Sequence, residues 1–198
     1  HKQLFKRNNQ MISRIIDIIN ARLIYPIIFK EFGCGSKIKD PMKIEGFKRI
    51  TIGRNTIIGY NSWIASMPLT GSESIIKIGN NCNIGNINHI YSTKSIIIED
   101  NVLTADKVYI SDNQHTYDNP DIPIQNPPIK QCKTIIIKEG SWIGENVCII
   151  GACIGKNSVI GANSVVTHDI PDYTIAVGAP ARVIKKYNFK TRKWEKVE

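Results

Sequence analysis

Aliphatic residues recur every six positions along most of this chain. The aliphatic positions of the series, with one Thr, are Ile52, Ile58, Ile64, Ile78, Ile84, Ile90, Ile98, Thr104, Ile110, Ile137, Ile143, Ile149 and, after a slip of one residue, Ile154, Ile160 and Val166. Small and polar residues, often Asn or Asp, fill the positions between them. A period of six fits neither a helix nor a strand pair closed by a tight hairpin. It predicts short flat faces, three to a coil of about 18 residues, with the aliphatic side chains stacked inward.

Departures from this spacing locate two loops. Ile52 and Ile78 are 26 residues apart, which predicts a short loop around Met67–Ser74. Ile98 and Ile137 are 39 residues apart, which predicts a long loop that leaves the coils over residues 111–133. The long loop contains four of the chain's prolines, which cannot join a central strand ladder. Loops of this length in a compact fold are usually functional, so the second loop is the first place to look for chemistry.

The chain divides into three parts on this pattern: an N-terminal lead-in (1–49), the repeats (50–177) and a C-terminal tail (178–198). Residues 10–30 carry apolar residues at helical spacing and predict one amphipathic helix that ends or kinks near Pro26. Its favoured role is to cap the open end of the coils, which a solenoid needs for solubility. A second role is a foothold on an anionic membrane, because the surrounding residues are basic.

The net charge of +9 is concentrated at the two ends of the chain. Residues 1–49 carry a net charge of +7, residues 50–181 carry −3 and residues 182–198 carry +5. A mildly acidic body with two basic ends argues against a nucleic-acid-binding surface and favours phosphate or membrane-surface binding at the ends. The five cysteines show no C-x-x-C spacing, so neither a disulfide framework nor a zinc knuckle is expected. A reducing cytoplasm is the expected location, and the membrane foothold would place the protein at the inner face of the membrane.

The hexads resemble those of the hexapeptide-repeat acyltransferases. The stretch GAPARVI at 178–184 matches the C-terminal signature of sugar and xenobiotic acetyltransferases, and the YNFKTRKWEKV tail is similar to that of bacterial polysaccharide O-acetyltransferases. The resemblance implies an all-β fold, a left-handed parallel β-helix with a protruding loop. It also implies a homotrimer, with acetyl-CoA held between neighbouring prisms and no metal requirement.

The long loop carries the residues that the resemblance assigns to catalysis. His115 lies in ISDNQHTYD, straight after a coil position, and Asp112 completes a D-x-x-H context. In the related acetyltransferases the general base stands at this point, and a histidine suits that role near neutral pH. Asp112 is expected to orient either the imidazole or the loop. The segment around His89, with Asn86 and Asn88, is a candidate acceptor contact, although corner positions favour Asn for structural reasons as well.

The resemblance also assigns residues to coenzyme A. Trp142 is expected to flank the pantetheine channel, and small residues are expected to leave room for it. Basic residues of the tail are expected to contact the nucleotide phosphates, and His168 stands where many relatives have Lys. The predicted coenzyme-binding set is Trp142, Gly144, Ala162, Thr167, His168, Arg182 and Lys185.

The predicted function is transfer of an acetyl group from acetyl-CoA to a hydroxyl of a sugar or polysaccharide precursor, without an acyl-enzyme. Two alternatives keep the chemistry and change the acceptor to an amino sugar nucleotide or an antibiotic. A β-helical carbonic anhydrase is disfavoured because the close histidine pair that zinc needs is missing: Pro120 stands five residues after His115. A non-catalytic scaffold or binding module is the remaining alternative, and it does not explain the loop histidine or the basic tail.

Overall fold

The computed structural model describes residues 15–197, which build a triangular prism of stacked coils. Coil one consists of β1 (Glu31–Phe32), β2 (Lys37–Ile38) and β3 (Lys43–Glu45), and coil two of β4 (Ile50–Ile52), β5 (Ile57–Ile58) and β6 (Trp63–Ser66). Coil three consists of β7 (Ile75–Ile78), β8 (Asn83–Ile84) and β9 (His89–Ser92), and coil four of β10 (Ser95–Ile98), β11 (Leu103–Thr104) and β12 (Tyr109–Ser111).

A hairpin after coil four interrupts the coils, and two further coils follow it in the chain. The hairpin is formed by β13 (Asn113–His115) and β14 (Ile129–Gln131). Coil five then consists of β15 (Ile135–Ile137), β16 (Trp142–Ile143) and β17 (Cys148–Ile150), and coil six of a bridge at Ile154, β18 (Val159–Ile160) and β19 (Val165–Val166). The chain closes with β20 (Thr174–Gly178), β21 (Ala181–Asn188) and β22 (Lys193–Lys196).

Three parallel sheets form the faces of the prism. The first face orders β1-β4-β7-β10-β15, the second β2-β5-β8-β11-β16-β18-β20 and the third β3-β6-β9-β12-β17-β19. The register joins the hexad positions to each other, so that Ile52 pairs with Ile78, Ile78 with Ile98, and Ile98 with Ile137. The six-residue period therefore predicted the faces and their stacking correctly.

The hexad side chains form one continuous core. The isoleucines of the series are essentially inaccessible to solvent, and each is worth about 1.5–3 kcal/mol of burial. Thr104 takes an inward position as a polar residue, and its hydroxyl accepts a hydrogen bond from the amide of Gly85 at 3.1 Å. That bond satisfies the buried hydroxyl, which would otherwise destabilise the core.

The corners that follow the first and second faces have left-handed backbone at one residue each. Asparagine fills most of these positions, including Asn61, Asn81, Asn101 and Asn163. Asparagine tolerates this conformation better than other side chains except glycine. An aliphatic residue, Ile87, occupies the corner between β8 and β9. Its φ is 57°, and it is about half exposed. A β-branched residue is strained there.

We expect Ile87→Asn to raise the free energy of unfolding by about 1 kcal/mol, since it relieves left-handed strain at an exposed site. Asn61 occupies the equivalent corner of coil two with φ of 54°, so Asn61→Ile is the matched reverse change and should destabilise by a similar amount. Urea unfolding of both variants beside the parent measures the effect. An Ile87→Asn protein that is no more stable than the parent would show that packing, not backbone strain, decides this corner.

The N-terminal segment caps the first coil. Residues 15–19 are α-helical, Asn20–Ile24 form a π-helical turn, and Tyr25–Ile28 complete the helix two residues beyond Pro26. Tyr25 and Phe29 are buried and contact each other edge to face at 5.3 Å, and Phe32 and Phe47 join this cluster. The helix therefore packs against the first coil through this cluster, which supports the predicted cap role. Residues 10–14 of the predicted helix lie outside the described residues. Within 15–197 no helix has the length and apolar character needed to span a bilayer.

Two features of the long loop and the tail were not predicted from the spacing of the repeats. The short loop lies at 67–74 as predicted, whereas the long loop is not structureless, because its stem is the β13–β14 hairpin. The basic tail is also ordered: β21 and β22 extend the second face as antiparallel strands. The one-residue slip near Gly151 lies beside the base of this hairpin. Gly151 has φ of 56°, and a Cβ there would lie 2.7 Å from Cβ of Cys132, the residue that follows β14.

Candidate active site

Both protruding loops leave the prism at the edge between the third and first faces, here called the loop edge. It comprises the turns at 67–74, 93–94, 112–134, 151–153 and 167–169. His115 ends β13 and pairs with Ile129 of β14, so the hairpin stem holds its backbone while its side chain is exposed. The hairpin thus carries a histidine to the solvent-facing side of this edge.

Asp112 fixes the base of the hairpin. It is completely buried, and its carboxylate accepts hydrogen bonds from the amides of Thr93, Lys94 and Ser95 at 2.7, 2.9 and 2.7 Å. Burial raises the pKa of Asp112, but these amides outweigh it, and the pKa lies below its ordinary value. Of the two roles expected for Asp112, its contacts favour orienting the loop over orienting the imidazole.

Gln131 joins the two loops, and the sequence pattern did not reveal it. Its side-chain oxygen accepts hydrogen bonds from the hydroxyls of Thr70, in the short loop, and Thr93, the latter at 2.9 Å. Its amide donates to the carbonyl of Asp112 at 2.6 Å. These bonds tie the stem of the hairpin to its own base at Asp112 and to two neighbouring turns of the loop edge. No sequence spacing connects residues 70, 93 and 131, since the link depends on antiparallel pairing within the loop.

The hairpin base is also tied to the turn that holds Thr167 and His168. Lys133 forms an ion pair with Asp169, which in turn accepts a hydrogen bond from the amide of Cys153 at 2.9 Å. Thr167 and His168 are exposed, and the threonine hydroxyl lies 3.0 Å from Nδ1 of His168. Two of the predicted coenzyme residues therefore share the loop edge with His115.

The other predicted coenzyme residues lie on a different side of the prism. Trp142 is half exposed on the second face. Gly144 and Ala162 follow at the edge between the second and third faces, here called the glycine edge. A Cβ on Gly144 would lie 2.6 Å from the amide nitrogen of Ala162, so only glycine allows this close approach of the coils.

The tail adds its cations to the same side as Trp142. Arg182 pairs with Val177, and Lys185 pairs with Ile175, so both stand on the antiparallel extension of the second face. Arg182 is exposed and Lys185 is half-buried. Within one chain, the third face separates Trp142, Gly144, Ala162 and this tail from His115.

The contacts of Asn88 favour a structural role over the acceptor contact expected of it. Asn88 is 1% exposed, and its amide donates to the carbonyl of Ala105 at 3.1 Å while its oxygen accepts from the amide of Val108 at 3.1 Å. It is a structural corner residue. Asn86 is similarly engaged, because its amide donates to the Asp106 carboxylate at 3.1 Å. The acceptor contact of Asn86 stays a prediction, and its bonds favour the structural role.

His89 belongs to an aromatic row that crosses the third face. It stacks on Trp63 with ring centroids 4.3 Å apart and contacts Tyr91 and Tyr109 edge to face. Its Nε2 is buried without a hydrogen-bond partner among the described residues, and burial lowers the pKa of His89. The aromatic row has a sequence signal, because each of its rings on Trp63, His89 and Tyr109 comes from the residue just before an inward isoleucine. Aligning the hexads coil by coil could have revealed this row.

Comparison with known proteins agrees with this architecture. Residues 134–168 match the model for the hexapeptide repeat of succinyl-transferase. The chain is 33% identical over 167 residues to a putative lipopolysaccharide biosynthesis O-acetyl transferase, WbbJ, from Escherichia coli K12, an alignment that covers 80% of this chain and 83% of the relative. The chain belongs to the hexapeptide-repeat acetyltransferase family. The left-handed β-helix expected from the resemblance is thereby confirmed.

Two solved structures resemble the fold described above. AntD, an N-acyltransferase from Bacillus cereus crystallised with dTDP-4-amino-4,6-dideoxyglucose and coenzyme A, is 25% identical with a TM-score of 0.70, over 83% of this chain and 88% of AntD. The acetyltransferase VCA0836 from Vibrio cholerae, complexed with acetyl coenzyme A, is 27% identical with a TM-score of 0.58, over 92% and 85% of the two chains. Both solved proteins hold the coenzyme.

Proposed function

We propose that this protein transfers an acetyl group from acetyl-CoA to a hydroxyl of a sugar or polysaccharide precursor. The observation that carries the proposal is the exposed His115 on a hairpin stem that Asp112 and Gln131 anchor to the prism. A general base must stand in a fixed place and remain accessible to its substrate. The likeness to an O-acetyltransferase over most of the chain supports a hydroxyl acceptor.

The proposed reaction is direct. A nitrogen of His115 removes the proton of the acceptor hydroxyl while the hydroxyl oxygen attacks the thioester carbonyl carbon. A backbone N–H steadies the oxyanion that forms. The carbon–sulfur bond then breaks, the acetyl ester is released, and the protonated His115 returns its proton to the departing sulfur. This scheme assigns no covalent step to any of the five cysteines.

Acetyl-CoA is the proposed donor, and the small residues of the glycine edge offer space for its pantetheine arm. Gly144 and Ala162 lie against each other there, beside the exposed ring of Trp142. Arg182 and Lys185 supply positive charge on the same side for the nucleotide phosphates, which guanidinium and ammonium groups bind well. Thr167 and His168, on the loop edge, would meet the coenzyme near the reacting thioester.

We further propose that the site is completed by a second copy of the chain, as expected for a homotrimer. His115 and the Trp142 side of the coenzyme site flank opposite edges of the third face. From coil two to coil six the outward positions of that face are uncharged, including Trp63, His89, Tyr109 and Cys148. Depletion of charge and enrichment of aromatic residues are typical of interface cores. Stacking copies on this face would bring the loop edge of one to the glycine edge of the next.

A thiol-release assay with acetyl-CoA and a panel of acceptors tests the function. The panel pairs hydroxyl sugars and bacterial glycan fragments with amino sugar nucleotides, and mass spectrometry identifies the acetylated product. We expect release of thiol with a hydroxyl sugar and an alkali-labile ester as product. A protein that neither binds coenzyme A nor releases thiol with any acceptor would contradict the proposal and favour a scaffold role.

The second candidate is N-acetylation of an amino sugar nucleotide. The fold similarity to AntD, solved with an amino sugar nucleotide, favours this acceptor. The same panel separates the two functions, because an amide product resists the mild alkali that removes an acetyl ester. Turnover restricted to the amino sugar nucleotides would replace the first proposal by the second.

A further inference from the structure

The N-terminal helix exposes apolar residues where a helix on a protein surface normally exposes polar ones. Its inner side is occupied by the buried Asp17, Tyr25 and the cap around Phe29. Its outer side presents large aliphatic side chains that are between 42% and 71% exposed, namely Ile15, Ile16, Ile19, Leu23, Ile24 and Ile27. A surface helix of a globular protein is expected to show the reverse polarity. Capping the prism therefore explains the buried inner side of this helix but not the exposed aliphatic residues of its outer side.

Cations surround this apolar side. Residues 15–49 contain seven Lys and Arg and four Asp and Glu, and one of the acids, Asp17, is buried. At one end of the helix, Lys48 donates a hydrogen bond to the carbonyl of Ile27 at 2.6 Å, which holds its ammonium beside the most exposed of the isoleucines. Lys30 and Arg49 are exposed near the same end.

A cavity lies next to the apolar side and is lined by two further cations. Its volume is about 500 Å³, and Ile18, Ala21 and Pro26 of the helix line it opposite the turn of coil one. Arg22 and Lys37 contribute the charged groups. The combination of exposed aliphatic residues with cations at their border is the arrangement that interfacial helices use on anionic lipid.

We infer that the N-terminal end of the prism docks on an anionic bilayer, with Leu23 and Ile27 entering the acyl boundary and a lipid phosphate held near Arg22 and Lys37. A second copy of the chain is a poorer occupant, because a two-fold contact would press two equally basic ends together. The inference is independent of the proposed acetyl transfer. It would place the opposite end of the prism, with the tail, away from the lipid surface.

Flotation of the whole protein with vesicles tests this inference. We expect binding to vesicles of mixed phosphatidylcholine and phosphatidylglycerol, weak binding to phosphatidylcholine alone, and weaker binding as salt rises. The double variant Leu23→Glu/Ile27→Glu should lose at least about tenfold in binding to the mixed vesicles. Arg22→Gln should lose about fivefold, as expected for one cation near an anionic surface.

The matched control places the same charges elsewhere. Leu69 and Ile124 are similarly exposed on the two loops, so Leu69→Glu/Ile124→Glu should bind the mixed vesicles as the parent does. Absence of binding by the parent, or full binding by Leu23→Glu/Ile27→Glu, would overturn the inference. It would also be overturned if that variant changed the particle size in solution, or was markedly less stable to urea, because the surface would then be covered by another copy or by the chain itself.

Discussion

His115→Asn is expected to lower kcat for acetyl transfer by at least about 100-fold, as loss of a general base does. The side chain is exposed and the hairpin backbone is held by other residues, so the fold should be unaffected. Steady-state thiol release measures kcat and KM separately. Urea unfolding of the variant should differ from the parent by no more than about 0.5 kcal/mol, as is usual for exposed positions.

His168→Asn is the matched control for this change. His168 is the other exposed histidine of the loop edge, and its proposed partner is the coenzyme and not the acceptor proton. Its replacement should alter KM for acetyl-CoA and leave kcat nearly unchanged. A loss in kcat of less than about tenfold in His115→Asn would contradict its role as the base.

Asp112→Ala is expected to lower the free energy of unfolding by about 3 kcal/mol, because it leaves buried amides at the neighbouring turn without an acceptor. Three amides and the hydroxyl of Ser92 donate to this carboxylate in the parent. Denaturant unfolding measures the loss. Asp118→Ala is the control: Asp118 is an exposed carboxylate of the same loop, 3.9 Å from Lys130, and its loss should cost no more than about 1 kcal/mol.

The effect of Asp112 should also depend on pH. Its pKa in the folded protein is lowered, so its contribution to stability is present above its unfolded pKa of about 3.9 and is lost as the pH falls further. The difference in free energy of unfolding between the parent and Asp112→Ala should therefore become smaller as the pH falls below that value. A variant as stable as the parent but poorly active would instead indicate that Asp112 acts on His115.

The fold was predictable because the repeat is a one-dimensional signal. Each inward isoleucine is determined by its own hexad and by its neighbour one coil away, as in the pairing of Ile78 with Ile98. Long-range pairing did not have to be guessed. The loop at 67–74 and the exit of the long loop followed from the same counting.

The contacts that hold the candidate site were not predictable in this way. The hairpin pairs Asn113 with Gln131 across a proline-containing loop that has no repeat. The buried bonds of Asp112 and Asn88 depend on corners that approach each other only in the folded prism. Asparagine and aspartate serve as corner residues and as site residues, so residue type alone cannot separate the two roles.

The most direct test of the account is to combine two inactive copies in one oligomer. His115→Ala lacks the proposed base, and Ala162→Phe should block the pantetheine channel at an exposed position. Coexpression with two affinity tags isolates mixed oligomers. If each site is built from the loop edge of one copy and the glycine edge of the next, every mixed cyclic trimer holds one intact site of three, so the isolated mixed oligomers should regain roughly a third of the parental thiol release. Mixed oligomers as inactive as either variant alone would contradict a site shared between copies.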